Sequence, residues 1–206
     1  MSEVYSFALE AIRTQLYYGV EFDAGIKALI ELYAQSAPLE GSAEVRKLPF
    51  HKDVLGLYNW ITHYLLDPEV PDSSQVLWIG LLNPFIDEDE IYIVASRFYD
   101  PYSTHCLWAF EEDNDYFTDT SYFHSPVLRG VAEHTREHLK LGMSLIGLGY
   151  VCLAVRDIFH EVNPKAVLRG MISKAIVVGL DPLTYGGYAF CRLGYVYPHG
   201  LFVDAR

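Results

Sequence analysis

Cysteine is scarce in this sequence: Cys106, Cys152 and Cys191 are the three among 206 residues, widely spaced and each set among apolar neighbours. An odd count at such spacing excludes a disulfide framework and makes no zinc-type pair, so the three read as buried thiols. Basic residues are also few. Fifteen lysines and arginines stand against 27 aspartates and glutamates, a formal charge of −12; such a surface repels the nucleic-acid backbone and anionic lipid, so neither is expected as a partner. The opening residues MSEVYSFALEAIRTQ have neither the basic start nor the apolar centre of a secretory signal, which favours a cytoplasmic location. Long hydrophobic runs are missing as well. The uncharged stretch from Leu141 to Val155 has fifteen residues, short of the roughly 18 that suggest a membrane span, and reads as core.

What is present suits a packed protein: 51% hydrophobic and 20% charged residues without an internal repeat. A chain of this length can fill one core, so residues 1–206 are expected to form a single α+β domain. Helical spacing runs from Val4 to Tyr17, stopping near Gly19, and again from Ala24 to Gln35 behind Asp23 as a cap. The stretch from Ser36 to Pro49 has two prolines and no sustained period, which predicts a surface loop. Spacing through Val54, Leu57, Tyr58, Ile61 and Leu65 predicts a helix over 51–66.

From Gln75 the character changes to short runs rich in β-branched and aromatic residues, VLWIGLL, EIYIVASRFY, HCLWAF and YFTDTSYF, which suggest an antiparallel meander. Ser125 and Pro126 then mark the start of a helix. A straight helix from Pro126 to Val162 would be about 55 Å long and would protrude from a compact domain, so the glycines of GMSLIGLG are expected to break it. Tyr150 to Val155 fits either a helix or a buried strand. A helix opening at Pro164 and strands in IVVG, YAFCRLGYVY and HGLFVDA complete the chain.

Three constellations could carry chemistry. His134-Thr135-Arg136-Glu137-His138 resembles the His-x-x-Glu-His motif of the inverzincin metalloproteases, in which two histidines hold zinc and the glutamate activates water. The resemblance implies a small metal-dependent hydrolase with His134 and His138 as ligands, but it is confined to these five residues, and no glutamate follows Glu161 to serve as third ligand. Asp157, His160 and Glu161 could share a helix face as an acid–base cluster. The glycines around Ser144 and Gly147 fall short of a nucleophile elbow and of a dinucleotide fingerprint, and no Walker-type lysine or complete EF-hand loop occurs. No cofactor is implied.

The third constellation is a pair of acidic turns. Asp87, Glu88, Asp89 and Glu90 in one, and Glu111, Glu112, Asp113 and Asp115 in the other, fall at the same edge of a simple meander. Such crowding is relieved by a cation, and Tyr92 and Tyr116 are of the residue type that anchors interfaces. The sequence therefore points to a non-catalytic binding protein whose acidic rim docks a basic protein. One form would be an immunity-type inhibitor that neutralises a cationic toxin or nuclease.

Overall fold

The computed structural model describes residues 3–37, 39–66, 75–83, 87–100, 122–161, 175–180, 189–196 and 200–203. Seven α-helices and six strands are found among them, and the strands form one mixed sheet, so the fold is α+β.

Helix α1 (Glu3–Tyr17) buries Ala8, Ile12 and Leu16, four residues apart along one stripe. It ends as its glycine requires. Gly19 takes φ 60°, and the N–H groups of Gly19 and Val20 return to the carbonyls of Leu16 and Gln15 at 3.1 and 3.0 Å, a Schellman closure that strains a side-chain-bearing residue. Helix α2 (Phe22–Ser36) buries the expected Ile26, Leu29, Ile30 and Tyr33, while Asp23 lies inside its first turn instead of capping it.

The expected loop over 36–49 contains a helix, α3 (Leu39–Val45). Two turns are too short to display a period; Ser42 and Val45, one turn apart and buried, mark its inner face. Helix α4 (Phe50–Leu66) buries Phe50, Asp53, Leu57, Ile61, Tyr64 and Leu65.

Strand β1 (Val76–Asn83) lies between antiparallel β2 (Asp87–Ser96) and parallel β4 (Ala175–Leu180). On the far side of β2 is β3 (Phe123–His124), and on the far side of β4 are antiparallel β5 (Ala189–Val196) and β6 (Gly200–Val203), giving the order β3-β2-β1-β4-β5-β6. The parallel β1–β4 pair therefore joins two antiparallel arms, which a continuous meander would not contain. The segment HCLWAF and the helix expected from Pro164 lie outside the described residues.

Period-two alternation sorts the central strands. Leu77, Ile79, Leu81, Ile91, Ile93, Ala95, Ile176 and Val178 join the helical core, whereas Val76, Trp78, Tyr92, Val94 and Val177 form a cluster on the opposite face. Both faces are buried, which is why these strands read as unbroken apolar runs.

The central helix breaks, but not at its glycines. Ser125 caps α5 (Pro126–His134), its hydroxyl accepting from the Leu128 N–H at 3.0 Å. The chain turns at Thr135, whose backbone leaves helical values (φ −110°, ψ 17°) and whose hydroxyl and N–H both donate to the Val131 carbonyl. After a 3-10 turn, Arg136–His138, the helix runs on as α6 (Leu139–Gly142), a π-wound Met143–Gly147 and α7 (Leu148–Glu161). Tyr150 to Val155 is thus helical.

The glycines serve close packing instead. A Cβ on Gly142 would lie 2.1 Å from Thr135 Oγ1, and one on Gly149 2.3 Å from Leu29 Cδ1. From Arg136 to His160 the helix is long and apolar enough to cross a membrane, yet 78% of its apolar window is buried within the fold itself.

Candidate functional site

A buried polar cluster is centred on Asp53, 4% exposed. Its Oδ2 accepts from the Ser125 hydroxyl at 2.5 Å and from the Tyr150 phenol at 2.7 Å, and its carboxylate also takes a hydrogen bond from the Val127 backbone. Burial raises the Asp53 carboxyl above the ordinary carboxylate range, against the lowering effect of these three donors. Burial and the neighbouring carboxylate likewise push the Tyr150 phenol upward. Phe22 and Phe50 close over Tyr150 edge-on, at ring separations of 6.2 and 5.5 Å. With Tyr150 and Ser125 fully buried, the cluster fastens α4, the N-terminus of α5 and α7. Sequence reasoning missed it. The available signal was that Asp53 lies four residues before Leu57, on the buried stripe of α4.

The acidic residues at the head of β2 are strand, not turn. Asp87 pairs with Asn83 across an irregularity in register, so the strand starts within the acidic run. Asp89 meets two basic side chains of the chain itself: Arg129 donates to Asp89 Oδ2 through Nε at 3.1 Å and through Nη2, while His124 Nδ1 lies 3.6 Å from Asp89 Oδ1 and 3.9 Å from Glu90 Oε1. The Ser125 N–H donates to the Asp89 carbonyl at 2.8 Å, placing the start of α5 against the same strand end. Arg129 and His124 keep 60% and 56% of their side chains in solvent.

Tyr92, expected at an interface, faces inward at 5% exposure. Its ring crosses Gly80, its partner on β1, where a Cβ would lie 2.2 Å from Tyr92 Cζ, and its hydroxyl accepts from Trp78 Nε1 at 3.0 Å. A glycine directly opposite leaves the ring room to fold down onto the sheet. Glu111, Glu112, Asp113, Asp115 and Tyr116 lie outside the described residues.

The break at Thr135 separates His134, at the end of α5, from His138, at the end of the 3-10 turn, so they do not share a regular helical face. Both line a cavity of about 330 Å³, together with Tyr33, Glu44, Glu133 and Glu137. Among the described residues no three His, Cys, Asp or Glu side chains come together as a metal site. Glu44 is held by Lys47 at 2.6 Å, and this donor holds its carboxyl below the usual range. In the Asp157 group, Asp157 accepts from Arg156 Nε at 2.7 Å and His160 is exposed.

No family model matches the chain, and comparison with curated proteins and with solved structures finds no match either.

Proposed function

We propose that this chain is a non-catalytic binding protein that docks a basic protein through the acidic head of β2, acting in the cytoplasm. Capture of a cationic toxin or nuclease is the form of this activity that its charge suits best. The observation that carries the reading is the behaviour of Asp89 and Glu90, which gather an imidazole and a guanidinium from two solvent-exposed side chains at one end of the sheet. Arg129 offsets part of the negative charge at this strand end, and what remains, Glu90 included, is what it offers to the cations of a partner.

Further support comes from the excess of twelve negative charges, which speeds encounter with a basic surface. The enclosed Asp53 cluster and the divided histidine pair offer little to catalysis. The test is to isolate the basic protein that the full chain captures at low salt and to measure its association with wild type and with a variant carrying Glu88→Gln, Asp89→Asn, Glu112→Gln and Asp113→Asn. A slower, less salt-sensitive association supports the reading; an unchanged on-rate overturns it.

A further inference from the structure

Ser125 belongs to two sites at once. Its hydroxyl donates to the buried Asp53 Oδ2 at 2.5 Å and accepts from the Leu128 N–H at 3.0 Å, while its backbone N–H donates to the Asp89 carbonyl at 2.8 Å. One turn on, Arg129 reaches the Asp89 carboxylate through Nε and Nη2. The first turn of α5 therefore touches the interior carboxyl of α4 on one side and the acidic head of β2 on the other.

The bonds at Asp53 distinguish its two charge states. As a carboxylate it accepts from the Ser125 hydroxyl, from the Tyr150 phenol at 2.7 Å and from the Val127 N–H. As a neutral acid it has a hydrogen of its own to donate, and the two oxygens beside Oδ2 are those hydroxyls. Ser125 is the nearer, and an aliphatic hydroxyl is the better acceptor because a phenol's lone pair is drawn into its ring. A Ser125 oxygen that accepts from both Asp53 and Leu128 has used its two lone pairs, and its own hydrogen turns away from Asp53. The cap that starts α5 thus differs between the two states.

The groups packed around the carboxyl do not change charge with it. The Tyr150 phenol, from α7, is pushed upward by burial and by Asp53 itself and stays neutral. From α5 come the Ser125 hydroxyl and backbone N–H groups, and from α2 the Phe22 ring, which closes over Tyr150. On α4 itself, His51 faces Asp23 in solvent and Lys52 is exposed. Burial raises the Asp53 carboxyl, which brings its proton exchange toward neutral pH. At the other end, Asp89 meets Arg129 and His124, with Glu90 beside them.

We propose that Ser125 is a proton-sensitive relay: gain or loss of one proton at Asp53 reorients its hydroxyl and, through its backbone N–H, shifts the acidic head of β2. The relay is a property of the chain by itself and stands or falls apart from the docking reading.

The test is a pH series of NMR spectra of the full chain. The carboxyl carbons of Asp53, Asp89 and Glu90 are followed separately, so that each group's own midpoint is known. The readout at the head is the coupling across the Ser125 N–H to Asp89 carbonyl hydrogen bond, together with the Ser125 and Asp89 amide shifts. In wild type these should show an inflection at the Asp53 midpoint in addition to any at the midpoints of Asp89 and Glu90. Asp53→Asn should lose that inflection and keep the others. Ser125→Ala retains the backbone N–H without the hydroxyl, so its Asp53 should still titrate while the head no longer responds. Head signals in wild type that follow only the Asp89 and Glu90 midpoints overturn the relay, and this needs no variant to fold. An inflection that survives in Asp53→Asn or in Ser125→Ala overturns it as well.

Discussion

The phenol of Tyr150 donates to Asp53 Oδ2 at 2.7 Å, tying the middle of the longest buried helix to a carboxylate that α4 carries inside. Ser125 makes the same acceptor serve a third element, because its hydroxyl donates to Asp53 while accepting from the N-terminus of α5. Asp53→Ala would leave both hydroxyls without their shared acceptor. A loss of about 3 kcal/mol is expected, against about 1.5 kcal/mol for Tyr150→Phe, and urea unfolding of the two variants checks the order.

The same cluster gives a pH dependence. Burial raises the folded pKa of Asp53 above its unfolded value, so in the window between the two the native chain holds a proton that the unfolded chain has lost. Native stability then falls as pH rises through that window. Asp53→Asn has no such proton, so its deficit relative to wild type is greatest in acid and narrows as pH climbs past the carboxylate range. Thermal melts across pH check this, and a deficit that widens with rising pH would contradict it.

Arg129 keeps 60% of its side chain in solvent, whereas the Asp89 side chain that it joins is only 14% exposed. Arg129→Ala removes a guanidinium that solvent already screens. It also frees the Asp89 charge. Association with the basic partner should become faster in this variant, measurable by stopped-flow mixing at low salt, and a slower rate would mean that Arg129 itself contacts the partner.

Gly41→Ala puts a methyl where the His134 carbonyl stands. The two elements must separate, at a cost of about 1 to 3 kcal/mol. Tyr92→Phe removes one hydrogen bond to Trp78 and is expected to cost about 1 kcal/mol. Denaturant midpoints distinguish the two, and Gly41→Ala should also perturb the NMR signals of His134 and Tyr33.

Much of the fold was legible. The stripes of α1 and α2 were readable because each has four turns and a single buried face, and β1 and β2 because β-branched and aromatic residues fill them. α3 was not, since seven residues cannot establish a period and Pro38 and Gly41 suggest a loop. The bend at Thr135 was hidden for a different reason: glycine signals backbone freedom, but Gly142 and Gly149 are small because Thr135 and Leu29 crowd them. Reading the acidic run as a turn also missed how β2 extends through it.

The candidate site was legible only in part. The acidic character of Asp89 and Glu90 could be read, but their partners, Arg129 and His124, lie more than thirty residues along the chain. Tyr33 was legible as part of the buried stripe of α2. That it lines a cavity depends on how α3 packs against α5, which no local pattern encodes.

The central claim is that the head of β2 attracts a cationic partner. It is tested most directly by the association rate of the captured basic protein with wild type and with an Asp89→Asn, Glu90→Gln variant across a series of salt concentrations. The rate should fall by about tenfold at low salt and lose most of its salt dependence. Equal rates and equal salt slopes for the two proteins would contradict it.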